Sequence, residues 1–101
     1  MRILDIAQRA LQDIDGIQLW QSQHGSGPAA QRRMHAILDA IRALRHHPCR
    51  YPKGEHPGTR VLTVERYVVV YEVKPDTGRN DTAGDVIVLR VFGPGQLRNR
   101  L

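Results

Sequence analysis

Arg60 and Arg90 each stand inside a run of β-branched residues, and His24, His35, His46, His47 and His56 are spread along the chain. Cations beside an imidazole suit cleavage of a phosphodiester. The positive groups stabilise charge building on the phosphate, and the imidazole moves the proton of a ribose hydroxyl. Arg60, Arg90, His47 and His56 are the candidate set for that chemistry, with Arg45, Arg50 and Lys53 as further phosphate clamps. A strand arginine has two other uses. It can lie at a sheet edge with its head in water, or offer its planar fork to a partner's carboxylates. No metal is expected: His46 and His47 are adjacent and not four apart, and Cys49 has no second thiol to complete a tetrahedral set. No cofactor is expected either.

The 101 residues suit one domain, residues 1–101, burying roughly 65% of the surface its unfolded chain exposes. The lone cysteine excludes an intrachain disulfide and fits a reducing compartment. No apolar run approaches the ~20 residues of a membrane span, and the first residues turn charged too quickly for a secretory leader. A soluble, cytoplasmic protein is expected. Net charge is +5 with a pI near 10.1, so the partner surface should be acidic. The excess is concentrated: residues 1–31 carry −1, residues 32–66 carry +5 and the rest +1. Either this is a solvated face, or it is a docking surface for an acidic protein or nucleic acid.

The elements that must hold these residues follow from periodicity. Residues 2–4 fit a short edge strand, and Asp5 with Gln8 reads as a capping box opening a helix. Ala7, Ala10, Leu11, Ile14, Ile17 and Trp20 make one apolar stripe, with Trp20 expected to staple helix to sheet. Gly16 within it costs around 1 kcal/mol relative to Ala. Pro28 starts a second helix whose buried side is Met34, Ile37, Ile41 and Leu44, widened by Ala30, Leu38 and Ala40. Residues 46–58, with three prolines and two glycines, form a loop. Three strands follow, at 58–64, 67–73 and 85–92. In the last, Ile87, Leu89 and Val91 should share one face and Val86, Val88 and Arg90 the other. Tyr67 and Tyr71 should be core with their hydroxyls at the rim. The polar connection 74–84 is long for a hairpin and suggests mobility.

The fold class expected is therefore α+β in the order β-α-α-β-β-β. It comprises a short N-terminal strand and an antiparallel two-helix hairpin packed on a three- to four-stranded antiparallel sheet. Several motifs fall in that order: Ala10-x-x-Asp13-Ile14-x-x-Ile17, a hairpin ending in Leu44-x-x-x-Pro48, Gly58-x-Arg60, Tyr67-x-Val69-x-Tyr71-x-Val73 and Val88-Leu89-Arg90-Val91. Together they resemble the RelE/ParE superfamily of toxins from bacterial type II toxin–antitoxin modules.

RelE-like members cleave mRNA on the ribosome with sheet lysines and arginines and a C-terminal aromatic, Arg or His. Here Val68 follows Tyr67, the second strand has Val61, Leu62 and Thr63, and residues 93–98 offer neither Tyr nor His. The resemblance is thus closer to ParE, implying a plasmid-stabilisation type of toxin that inhibits growth by binding DNA gyrase and is neutralised by an acidic antitoxin. A RelE-like ribonuclease and an inactive antitoxin-binding module are the alternatives. The residues implied in contacting antitoxin or target are Arg60, Arg66, Arg90, Gln96 and Arg98, without direct contact to nucleic acid.

Overall fold

The computed structural model describes residues 2–23 and 27–94. His24, Gln96 and Arg98 lie outside the described residues. The elements are β1 (Leu4–Ile6), α1 (Gln8–Gln23), α2 (Gly27–Ala43), β2 (Thr59–Val64), β3 (Tyr67–Lys74) and β4 (Asp85–Phe92), in the expected α+β order. The sheet runs β1-β4-β3-β2. Its last three strands are antiparallel, but β1 joins β4 in parallel, so the sheet is mixed rather than wholly antiparallel.

Asp5 does not cap a helix. It is paired within β1 opposite Ile87, and the helix begins after Ala7, whose N–H donates to Val88 O and whose carbonyl takes the N–H of Leu11. Strand pairing has claimed the backbone that a capping box would need.

Ala10 and Ile14 from α1 and Ala30, Met34, Ile37 and Ile41 from α2 are buried, as their spacing implies. Most of them, with Leu44, meet Leu62, Tyr67, Val69, Tyr71, Val73, Val86, Val88 and Val91 in one core. Each such large side chain contributes roughly 1.5–3 kcal/mol on burial. Tyr71 is wholly buried and donates its hydroxyl to Pro48 O at 2.7 Å.

The faces of β4 differ from simple alternation. Tyr71 pairs with Val88 and Val70 with Arg90, leaving Leu89 as an extra residue. That bulge shifts the parity of the strand. Val86 and Val88 before it, and Val91 after it, all join the helix-side core, while Phe92 packs with Val68, Val70 and Val61 on the other face.

Candidate functional site

β1 ends at Ile6, opposite Val88, so the outer edge of β4 beyond that point has no strand neighbour. Asp13 of α1 fills the gap. Its carboxylate accepts the Val91 N–H at 2.9 Å and the Nε and Nη2 of Arg90 at 2.8 and 3.2 Å. Arg90 also stacks over the Phe92 ring, 4.7 Å from its centroid. The hydrogen bond to Asp13 raises the pKa of the guanidinium further, outweighing the desolvation that opposes it.

Beside this clamp lies a groove of about 590 Å³, lined by Gln12, Asp13, Gly16, Ile17, Trp20, Tyr67, Val91, Gly93 and Pro94. Trp20, the expected staple, stands at the rim of this groove, 56% exposed, next to Leu19 at 60%. Leu11, expected in the buried stripe, is also exposed. The helix buries only the narrow Ala10–Ile14–Ile17 side and leaves Leu11, Leu19 and Trp20 exposed around the rest of its surface. Nothing lies within 4 Å of where a Cβ on Gly16 would stand, so packing inside this chain does not require glycine there.

At the other end of β3 a second clamp organises the loops. Arg60 donates Nε and Nη2 to Asp76 at 2.7 and 3.0 Å and Nη1 to Tyr51 O at 2.6 Å. This fork holds the Asp76 pKa down to about 2. Burial, and then the charge of Asp76, push the Cys49 thiol up; burial also pushes the Tyr71 hydroxyl up. The connection 74–84, expected to be mobile, is pinned: Asp76 by Arg60, Asn80 by the Cys49 N–H, and the carbonyls of Asn80, Ala83 and Gly84 by Arg2.

Both sheet arginines therefore depart from the expected role of free forks for a partner's carboxylates. Arg60 is 7% exposed, and each guanidinium already carries a carboxylate of its own chain. Cross-strand partners share a face. Arg60 opposite Tyr71 is thus on the helix side and Arg90 opposite Val70 on the other, with β3 between them. His47 follows α2 and His56 lies in the loop before β2, both exposed. Arg60 and Arg90, the two arginines of the ribonuclease set, therefore do not converge on one face. Arg66 is exposed in the β2–β3 turn. Among the described residues no three His, Cys, Asp or Glu are grouped to hold a metal ion.

Sequence reasoning missed Asp13, Asp76 and the exposure of Trp20. For Asp13 a signal was present: a carboxylate directly beside Ile14, in the motif shared with the toxin family, sits at the border of the buried stripe.

The helical hairpin on one face of a four-stranded sheet, with an open groove at one end, defines a small α+β domain. Residues 4–96 match the family described as the ParE toxin of type II toxin–antitoxin systems, parDE. The chain belongs to that family. A solved structure titled "Chromosomal ParDE TA system from P. aeruginosa" is similar in fold, with a TM-score of 0.72 at 20% identity, covering 93% of this chain and 97% of that one. Comparison with curated proteins gives no match. Among the described residues no helix is long and apolar enough to cross a membrane.

Proposed function

We propose that this chain is a cytoplasmic toxin that stops growth by binding its target, DNA gyrase, and that a cognate acidic antitoxin neutralises it. Membership of the ParE toxin family over residues 4–96 carries this reading. Support comes from the groove beside Trp20, whose apolar floor and exposed indole suit a segment of the antitoxin. The placing of Arg60 and Arg90 on opposite faces of the sheet speaks for action by binding over RNA cleavage.

The test is direct. Induced without its partner, the chain should arrest growth; purified, it should inhibit gyrase supercoiling and leave ribosome-bound mRNA intact. Cleavage of mRNA in the ribosomal A site would overturn the gyrase reading in favour of a ribonuclease. Failure to arrest growth would mark an inactive antitoxin-binding module.

A further inference from the structure

The two sides of the sheet are protected unequally. Beyond β1, Asp13 caps the outward Val91 N–H of β4. On the β2 side the cover is partial. The preceding loop pairs with the first half of that strand: the Gly54 N–H donates to Thr59 O and the Val61 N–H to Pro52 O, both at 2.9 Å, and Lys53 forms an antiparallel bridge with Arg60. Among the described residues no backbone continues that row.

Backbone groups alternate sides along a strand, so those facing outward belong to the residues in step with Thr59 and Val61. Thr63 is the next of them. Its N–H and C=O point away from β3, and among the described residues neither has a hydrogen-bond partner. Thr63 is exposed, and Val61 and Val64 are only partly buried. An accessible donor and acceptor on an edge strand are a template for a further strand.

The side chains along this edge say what such a strand would carry. Matched positions on neighbouring strands share a face. On the helix side its neighbours would be Leu62 and Val64, which belong to the main core. On the other side they would be Val61 and Thr63, next to a hollow of about 320 Å³ that Val61 shares with Lys53 and His56, against the single carboxylate of Glu55. Arg66 is exposed just past the end of the strand. Helix α2 packs on β2, and residues 32–66, which supply most of α2, the loop and β2 itself, carry net +5. Such surroundings attract an acidic segment and repel a second copy of this chain.

We propose that the uncovered half of β2, around Thr63, takes an extended acidic segment of a partner protein as an added strand, with apolar residues beside Leu62 and Val64 and carboxylates on the Lys53 side. This edge lies across the sheet from the one Asp13 caps, and the proposal depends neither on the groove beside Trp20 nor on gyrase.

The experiment is an NMR titration of the isotope-labelled chain with a short peptide of alternating valine and glutamate, and with its valine–lysine counterpart. At millimolar concentration the glutamate peptide should shift the amides of residues 61–64 and slow exchange of the Thr63 N–H. The lysine peptide should do much less, and the difference should shrink with added salt. Thr63→Pro removes only an outward-facing N–H, which a sheet edge tolerates, and should weaken binding about five-fold or more. Thr63→Glu keeps the N–H at an exposed position, and should weaken binding of the glutamate peptide while strengthening that of the lysine one. No shift at residues 61–64, equal binding of the two peptides, or undiminished binding by both variants would overturn the proposal. So would slow Thr63 exchange in the chain alone that depends on its concentration, which would give the edge to a second copy. Because neither antitoxin nor gyrase is present, each of these results leaves the gyrase reading untouched.

Discussion

The carboxylate of Asp13 takes three hydrogen bonds from β4, two from the Arg90 guanidinium and one from the Val91 N–H. One side chain of α1 thus completes the outer edge of a strand that β1 is too short to cover. Asp13→Ala leaves a largely buried cation and a backbone N–H without their acceptor, at a cost of about 2–4 kcal/mol. Thermal unfolding should show a drop in melting temperature of about 10 °C or more for a domain of this size. The double variant Asp13→Ala/Arg90→Ala should recover part of the loss, because no unpaired charge remains. A double variant whose loss equals the sum of the losses of Asp13→Ala and Arg90→Ala would deny the coupling.

Acid should loosen the other clamp. The Asp76 pKa is lowered in the fold to about 2 from 3.8, so its contribution is present above pH 4 and is lost as the pH falls toward 2. That amounts to about 2 kcal/mol. Denaturant unfolding between pH 5 and pH 2 should reveal this slope, and Asp76→Asn should be less stable at pH 7 with a flatter profile.

Gly16 lines the groove, and a Cβ there meets nothing within 4 Å. Gly16→Ala should therefore stabilise the free chain by about 0.5–1 kcal/mol through helix propensity. If the antitoxin packs in the groove, titration should show weaker binding by the same variant. Unchanged affinity would place the antitoxin elsewhere.

Glu65 and Arg66 both have positive φ, 51° and 67°, in the two-residue turn between β2 and β3. Such a turn favours Asn-Gly, and side chains there are strained. Glu65→Asn/Arg66→Gly should raise stability by about 1–2 kcal/mol, read from the melting temperature. A simultaneous loss of partner affinity would assign Arg66 to the contact surface; unchanged affinity would remove it.

Sequence by itself determined the element order and most of the core. Ala30, Met34, Ile37 and Ile41 repeat at helical spacing, so local periodicity chose their buried side, and the run from Tyr67 to Val73, apolar on both faces, marked a central strand. It also placed the basic excess between residues 32 and 66. Tertiary structure decided what periodicity cannot encode. The unpaired Leu89 shifts the parity of β4, parts Arg90 from Val86 and Val88 and joins Val91 to them, because an inserted residue leaves no mark on composition. Pairing of β1 with β4 took Asp5 from its cap, and the partners of Arg60 and Arg90 lie 16 and 77 residues away in sequence. An arginine in a strand has the same sequence whether its fork meets a partner's carboxylate or its own chain's. Only the approach of α1 and of the 74–84 loop, set by packing across the whole sheet, supplied Asp13 and Asp76 and left Trp20 at the rim of an open groove.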